Sequence, residues 1–557
     1  MSDAAAAQPK KGGILDAIER FGNKLPDPVF IFIWLIGLLM AVSVVGSILG
    51  WSAINPVSGK TITATSLFTS ENLNKLIVDM PKTLTSFAPL GYVLIVMLGA
   101  GVAERSGWFS AVMRAGVKDA PKWMLTPIVV FMGIMGNQAA DAAYVVLIPL
   151  AGILFAAAGR HPVAGIAAAF AGVSGGFSAN LLPGQLDALL LGITEPAARL
   201  LAPDWTANIA GNWWFIAAMA VLFTPVGWFV CDVIVEPRLG KWAPLGGAPV
   251  DTSAGQLSAE EKTGLSRALL AVILVTATWI ALVTPQLWYA LGATSAKSGP
   301  PLYDAACYAR FLLDQGVAAN DALTELVKGC ATAEQVQAKA LQPFYTSLIA
   351  GFFLMFLLAG VVYGGAVGTI KTHRDVVRMM SEAMADLGPY VVLAFVAAHF
   401  VAMFNWSQLG PIAAIHGAEA IKSSGLPTPA IIALIVTLSA TINLAIGSAS
   451  AKWGMMAPVL VPMLMLLGVS PEMTTAAFRM GDSVTNIVTP LMVYFPLVLT
   501  FCQRWDKNFG MGSLMATMIP FSLWFLVFGL AMTVAWVYFA LPLGPGAEVH
   551  YVLPVKP

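Results

Sequence analysis

Charged residues are scarce in this chain. Lys and Arg number 30, Asp and Glu also number 30, and together they make up 11% of 557 residues. A typical soluble domain has about 25% charged residues, so this composition excludes an ordinary soluble protein. Hydrophobic residues make up 58%, which indicates a polytopic membrane protein with the lipid bilayer as its surroundings. The balanced charge gives no indication of nucleic-acid binding.

Cysteines and catalytic motifs are also few. The four cysteines, Cys231, Cys307, Cys330 and Cys502, lack the close spacing of a metal site. There is no P-loop, no H-E-x-x-H and no G-x-S-x-G element. We therefore expect no enzyme and no bound cofactor, and we expect ion gradients rather than ATP to drive any transport.

Long apolar stretches predict the membrane spans. Seven are uninterrupted and long enough to cross a bilayer. They cover about 29–50, 85–104, 211–236, 266–291, 343–369, 387–404 and 513–541.

Four other apolar stretches are interrupted. Gly, Asn and Pro break the spans at about 163–192 and 473–500. The stretches at about 122–158 and 428–468 have a polar, small-residue centre and fit re-entrant helical hairpins. Such backbone is tolerated at membrane depth only when protein covers it or it lines a cavity. The predicted fold is all-α, with about nine transmembrane helices and two hairpins.

Nine crossings place the two termini on opposite sides. The distribution of Lys and Arg among the loops favours an N-terminus inside and a C-terminus outside, in a bacterial inner membrane. The predicted segments are a cytoplasmic lead-in at 1–28, a first half at 29–236, a cytoplasmic linker at 237–265, a second half at 266–541 with an outer insertion at about 292–341, and an outer tail at 542–557. The outer insertion holds Cys307 and Cys330, which are either paired in a disulfide or both free.

The two halves share a sequence pattern. Each has a hairpin tip, a short link, an Ala-Ala-Phe triplet (168–170 and 476–478), and then a span broken before an Asn-to-Pro stretch. With the orientation above, the repeats are inverted. This arrangement is typical of alternating-access transporters, which bind their substrate where the repeats meet.

Polar residues at membrane depth mark the predicted site. Arg479, Asp482 and Asn486 share one helix face at i, i+3 and i+7. Charge is costly there and persists where it faces protein or a water-filled cavity. Arg479 is suited to bind a substrate carboxylate through two parallel hydrogen bonds. The alternative is a structural ion pair between Arg479 and Asp482.

A cation site is predicted beside the second hairpin tip. Asn443, Asp482 and Asn486 offer the hard oxygen ligands that sodium prefers. Asp482 could equally carry a proton, so Na⁺ and H⁺ both remain candidate coupling ions. Lys452 is expected to be a helix-end charge that reaches toward the outer surface. Trp453 either stacks on an aromatic substrate or packs against its own hairpin.

Three motifs carry a resemblance to a known family. They are Pro183-Gly184-Gln185-Leu186-Asp187, Gly447-Ser448-Ala449-Ser450-Ala451-Lys452-Trp453, and Arg479-Met480-Gly481-Asp482 running to Asn486 and Pro490. Over nearly its whole length the chain resembles the p-aminobenzoyl-glutamate transporters, some of which are described as antimetabolite (sulfonamide) exporters. The resemblance implies a homodimer with nine spans and two hairpins per protomer. It implies functional positions at Asp187, Ser450, Trp453, Pro471, Arg479, Asp482 and Pro490, with sodium near Asn443 and Asp482.

The sequence therefore predicts an ion-coupled secondary transporter. The expected substrate is p-aminobenzoyl-glutamate or a related aromatic carboxylate or antimetabolite such as a sulfonamide. The alternative is a sodium-coupled di- or tricarboxylate symporter, since such proteins also use two inverted hairpins.

Overall fold

The structure is a computed structural model that describes residues 28–54, 59–118, 120–139, 142–242, 256–332, 336, 339–489, 492 and 494–553. These residues form helices almost throughout. In the described part of the chain the only sheet is a short antiparallel hairpin of β1 (Ser52–Ile54) and β2 (Thr61–Thr63), with Ser52 opposite Thr63.

The α-helices are numbered here in chain order. They are α1 (Pro28–Leu49), α2 (Ser70–Val78), α3 (Met80–Thr85), α4 (Ala88–Arg105), α5 (Trp108–Lys118), α6 (Leu125–Met135), α7 (Ala142–Ala157), α8 (Pro162–Phe170), α9 (Gln185–Ala198), α10 (Trp213–Phe229), α11 (Glu236–Leu239), α12 (Ala259–Val283), α13 (Pro285–Ala290), α14 (Ala305–Asp314), α15 (Asp321–Val327), α16 (Gln342–Val367), α17 (His373–Asp386), α18 (Gly388–Trp406), α19 (Leu409–Ser423), α20 (Thr428–Asn443), α21 (Ala449–Leu466), α22 (Pro471–Val484), α23 (Phe495–Gln503) and α24 (Met511–Tyr538). Two π-helical segments, Ala171–Gly175 and Val230–Val235, continue α8 and α10.

Seven described helices are long and apolar enough to cross a membrane. Six of them, α1, α10, α12, α16, α18 and α24, fall on predicted uninterrupted spans. The seventh predicted span corresponds to α4, which joins α5 through a 64° bend. The prediction of an all-α polytopic membrane protein is confirmed. The remaining helix of spanning length, α21, is the second arm of the predicted second hairpin.

The arms of the first hairpin are too short to span a bilayer by themselves. Helix α6 has 11 residues and α7 has 16, which at 1.5 Å per residue gives about 17 and 24 Å against a hydrocarbon core of about 30 Å. A 3-10 turn at Gly136–Ala139 follows α6. The second hairpin consists of α20 and α21, separated by residues 444–448. Its Ser448 caps α21 by accepting a hydrogen bond from the Ala451 amide.

In each half, the first arm of the hairpin packs along the broken span. Helix α6 contacts α8 and its π-helical continuation, and α20 contacts α22. A glycine lies at each close approach. A Cβ on Gly172 would come 2.4 Å from the Val130 carbonyl oxygen, and one on Gly481 would come 2.1 Å from that of Val436. Glycine therefore allows backbone contact at corresponding places in both halves.

The outer insertion folds as a small unit of its own. Helices α14 and α15 pack together, and a disulfide joins Cys307 to Cys330. The pairing that the sequence left open is thus present in the structure.

Helix α12 starts earlier than predicted, and the C-terminal tail packs against the rest of the protein. Helix α12 begins at Ala259, inside the predicted linker, because Ser258 and Glu261 form a capping box. Residues 243–255 lie outside the described residues, as do 1–27. The tail returns to the second half, since the Ser470 amide donates to the Val549 carbonyl and the Tyr551 amide to that of Gly468. The tail thus packs where α22 begins.

Candidate functional site

Arg479 is a buried residue of α22. This helix starts at Pro471, after the Ser470 hydroxyl accepts a hydrogen bond from the Met473 amide, and every residue of α22 is buried. Proline suits this first helical position, where its missing N–H costs nothing. The Arg479 side chain is only 1% exposed, so protein groups have to satisfy its guanidinium.

The first half of the chain supplies the partners of Arg479. Arg479 Nη1 donates to Asp187 Oδ1 at 2.7 Å and makes a longer bond, 3.4 Å, to Asn212 Oδ1. Its Nη2 donates to the Ser178 carbonyl at 3.2 Å. The predicted alternative of an Arg479–Asp482 pair is therefore wrong: sharing a helix face does not bring the two side chains together, because each has a nearer partner on another helix.

Asp187 is held in place by its own helix. It lies in the first turn of α9, where its Oδ2 accepts a hydrogen bond from the Gly184 amide at 2.8 Å. A carboxylate is favourable at this end of a helix, which carries partial positive charge. Its other oxygen is directed to Arg479, so Asp187 joins the two halves of the chain.

Three buried polar atoms near this ion pair have no hydrogen-bond partner among the described residues. They are Arg479 Nε, Ser178 Oγ and Ser174 Oγ. Native proteins leave few such groups unsatisfied, and each one calls for an explanation such as a bound ligand or water. They lie on the two broken spans, the segments that the repeat pattern predicts to form the site.

A second charged cluster lies at the tip of the second hairpin. The Lys452 ammonium contacts Asn443 Oδ1 and Asp482 Oδ1. The side chains of Lys452 and Asp482 are 0% and 2% exposed. The expectation that Lys452 reaches toward the outer surface is wrong. In the first turn of α21, it turns inward because the Asp482 carboxylate is the partner that a buried ammonium requires.

The predicted sodium ligands do come together in this cluster. The Asn443 amide nitrogen donates to the Asp482 carbonyl at 2.6 Å, to Thr485 Oγ1 at 2.9 Å and to Asn486 Oδ1 at 2.8 Å. However, the side-chain oxygens of Asn443 and Asn486 accept bonds from protein donors, and Asp482 Oδ1 is ion-paired with Lys452. In this conformation the three residues do not fit a sodium ion, because Lys452 takes the position of the cation.

The two broken spans also contact each other directly. Asn486 Nδ2 donates to the Ser174 carbonyl at 3.4 Å, and the Ser178 amide donates to Ser483 Oγ at 3.0 Å. Ser483 Oγ in turn donates to the Arg479 carbonyl. The unwound part of the first half therefore lies against the charged turn of α22.

Trp453 is enclosed by protein. Its ring is fully buried and stacks on Phe478 with centroids 4.5 Å apart. Its indole N–H donates to Thr194 Oγ1 at 2.9 Å and to the Leu190 carbonyl at 3.1 Å. In this conformation Trp453 packs inside the protein, but against α22 and α9 rather than against its own hairpin.

The other predicted positions are Ser450, Pro471 and Pro490. Ser450 is half-buried, and its hydroxyl lies 3.2 Å from that of Ser448 at the hairpin tip. Pro471 is the first residue of α22. Pro490 lies outside the described residues.

Sequence reasoning missed three partners: Lys452 as the counterion of Asp482, and Ser178 and Asn212 as partners of Arg479. A signal for Lys452 was present, since a lysine at the polar tip of a buried hairpin needs a carboxylate nearby. Asn212 gave no such signal, because it reaches the site only through folding of the other half.

Paired hairpins that meet broken spans around buried charges define the class: a polytopic membrane transporter. A family model described as the AbgT putative transporter family matches residues 13–314 and 324–551. The chain belongs to this family, as its resemblance in sequence indicated.

Relatives of known name agree with this placement. The p-aminobenzoyl-glutamate transport protein of Escherichia coli (strain K12) is 34% identical over 538 residues, covering 96% of this chain and 97% of that protein. The crystal structure of the Alcanivorax borkumensis YdaH transporter, described as having an unusual topology, is 38% identical with a TM-score of 0.80, covering 93% of this chain and all of that one. Neisseria gonorrhoeae MtrF, from a class of antimetabolite efflux pumps, is 39% identical with a TM-score of 0.82, covering 96% of this chain and all of that one.

Proposed function

We propose that this protein is an ion-coupled secondary transporter of p-aminobenzoyl-glutamate or of related aromatic carboxylates or antimetabolites such as sulfonamides. The observation that carries this proposal is the buried guanidinium of Arg479, whose Nε has no partner among the described residues. A planar guanidinium suits a carboxylate, which it binds through two parallel hydrogen bonds. The name of the Escherichia coli relative supports the aromatic amine and glutamate parts of the substrate.

Asp187 allows a substrate carboxylate to replace it as a partner of Arg479. A substrate carboxylate that approaches Arg479 competes with Asp187 Oδ1 for the same Nη1 proton. Asp187 keeps its second bond to the Gly184 amide and remains anchored when its Arg479 bond is released. The ion pair would thus hold the two halves together without substrate and would open when substrate binds.

Alternating access would then follow from motion of one half against the other. The Asp187–Arg479 pair, the Ser178–Ser483 bond and the Asn486–Ser174 bond all cross between the halves. A gradient of protons or sodium ions would supply the energy.

We further propose a homodimer in the inner membrane with the N-terminus inside; the exposed apolar surface of α12 is available for lipid or for a second copy.

The direction of transport is the finer part of the proposal. The relatives include an antimetabolite efflux pump, and we propose export for sulfonamides and related antimetabolites. An efflux role needs a site that accepts several flat aromatic acids. A single arginine that binds the carboxylate or sulfonamide anion of each of them would form such a site.

Transport by purified protein in proteoliposomes tests the proposal. Labelled p-aminobenzoyl-glutamate is offered under an imposed proton gradient, an imposed sodium gradient, or neither, with succinate and a sulfonamide as unlabelled competitors. We expect gradient-dependent movement that the sulfonamide inhibits and succinate does not. Inhibition by succinate, with movement of labelled succinate itself, would instead establish the dicarboxylate alternative. Equal movement without any gradient would refute ion coupling.

A further inference from the structure

We propose that Lys452 is the built-in cation of the Asn443–Asp482–Asn486 cluster, so that this chain binds no sodium ion there. This inference rests on the proposed function and deepens it, because the cluster is where the sequence predicts the coupling ion to bind. Its test is a binding measurement that does not depend on transport.

Charge balance is the first argument. Two buried carboxylates, Asp187 and Asp482, contact two buried cations, Arg479 and Lys452; a further carboxylate, Glu472, is buried near the start of α22. Asp187 pairs with Arg479, and Asp482 pairs with Lys452. A sodium ion added to this cluster would leave an unbalanced positive charge in a buried region, which proteins avoid.

The other acidic groups do not change this balance. Arg479 lies three residues before Asp482 but makes its bonds to the first half. Glu472 is the second residue of α22, ten residues before Asp482, and Glu195 pairs with Arg199.

The hydrogen-bond pattern is the second argument. The ammonium contacts one oxygen of Asn443 and one of Asp482, the two side chains that a sodium ion would need first. Asn443 then donates its amide hydrogens to acceptors on and just after α22, including Asn486 Oδ1. With its amide oriented this way, Asn443 presents its oxygen to Lys452 and its nitrogen to the other oxygen ligands, so no common cavity of oxygens remains for an ion.

The position of Lys452 on its helix is the third argument. It lies in the first turn of α21, after the Ser448 cap. A positive charge is unfavourable at this end of a helix, where the amide groups already carry partial positive charge. Helix formation does not explain a lysine here, whereas the carboxylate of Asp482 does. Because Lys452 belongs to the second hairpin and Asp482 to the broken span, their ion pair joins these two elements.

Removing the ammonium should convert the cluster into a sodium site. In Lys452→Met the Asp482 carboxylate is left buried without a counterion, and the oxygens of Asn443 and Asp482 are released. We expect this variant to gain saturable binding of radiolabelled sodium. We also expect its Tm in detergent to rise by about 3 °C or more when NaCl replaces choline chloride at constant ionic strength.

Two matched controls use the same side chains. Lys452→Arg keeps the charge and should show no sodium-specific Tm rise. The double variant Lys452→Met with Asp482→Asn removes both charges and should fold without responding to sodium. The parent protein should bind no sodium saturably, and this result alone supports the inference even when Lys452→Met fails to fold.

Two results would overturn the inference. One is saturable sodium binding by the parent protein that Asp482→Asn abolishes. The other is a folded Lys452→Met variant with no sodium response. Neither result bears on whether the protein moves p-aminobenzoyl-glutamate, so failure of the proposed function would be seen separately, in the proteoliposome assay.

Discussion

Replacing Gly481 by alanine should separate α22 from the first arm of the second hairpin. The added Cβ would lie 2.1 Å from the Val436 carbonyl oxygen, 2.8 Å from the Ala440 amide nitrogen and 2.8 Å from Ser439 Cβ. An ordinary contact between carbon and a carbonyl oxygen is about 3.3–3.6 Å, so the two helices have to move apart by about 1 Å. All three contacts involve backbone or Cβ, so rotation of a side chain cannot relieve them.

The expected cost is that of overpacking a well-packed interior, about 1–3 kcal/mol or more. Function should suffer further, because α20 also carries Asn443, whose amide bonds to the Asp482 carbonyl at 2.6 Å and to Asn486. A shift of about 1 Å breaks bonds of this length. We therefore expect Gly481→Ala to lower the Tm and to reduce transport more than tenfold.

Thermal unfolding in detergent, followed by tryptophan fluorescence, and proteoliposome transport measure the two effects. Gly365→Ala on α16 is the control, since a Cβ there meets nothing within 4 Å, and helix propensity makes it neutral or stabilising by about 0.5–1 kcal/mol. A Gly481→Ala protein with unchanged Tm and transport would refute the close packing of α20 on α22. Equal damage from Gly365→Ala would show that any added methyl group is disruptive.

Two further predictions concern other parts of the chain. Replacing Cys307 and Cys330 by serine should make the outer insertion more sensitive to protease by opening a constraint worth about 2–4 kcal/mol, without altering substrate affinity; unchanged protease sensitivity would argue against the disulfide. Trp453→Phe should keep substrate affinity within about threefold while lowering Tm, because the ring still stacks on Phe478 but the hydrogen bond to Thr194 is lost, at about 0.5–1.5 kcal/mol. A tenfold loss of affinity at unchanged Tm would instead place the indole against the substrate.

The sequence was sufficient to predict the helical architecture. Apolar runs located six spans directly, because a membrane requires about 20 apolar residues per helix. The polar, small-residue centres located both hairpins, and the breaks at Gly, Asn and Pro located the segment of α22 that carries Arg479 and Asp482. The first residue of a helix is harder to predict where capping side chains set it. Helix α12 starts within the predicted linker because Ser258 and Glu261 cap it.

The pairing of the charged residues could not be predicted from spacing. Arg479 and Asp482 share a helix face, and local geometry alone would pair them. The structure instead pairs Arg479 with Asp187, 292 residues away, and Asp482 with Lys452. The first pairing depends on how the two halves pack, and the second on how the hairpin packs against α22; no local sequence pattern encodes either one.

The proposed function requires that Arg479 binds the carboxylate of the substrate. Binding of p-aminobenzoyl-glutamate, measured by calorimetry on the purified protein and on Arg479→Lys, tests it most directly. A lysine keeps the charge near Asp187 but cannot form two parallel bonds, and losing one charge-assisted hydrogen bond costs about 1.5–3 kcal/mol, so we expect affinity to fall about tenfold or more. Asp187→Asn, with Tm as the folding control, should retain substrate binding, because it frees the guanidinium.

The contradicting result would come from a charge swap measured in the same way. If Arg479 only holds the two halves together, Arg479→Asp combined with Asp187→Arg should restore folding and bind the substrate with unaltered affinity. We expect that the swapped protein does not bind p-aminobenzoyl-glutamate measurably, even where it folds. Unaltered affinity in the swapped protein, or in Arg479→Lys, would contradict the assignment of Arg479 to the substrate.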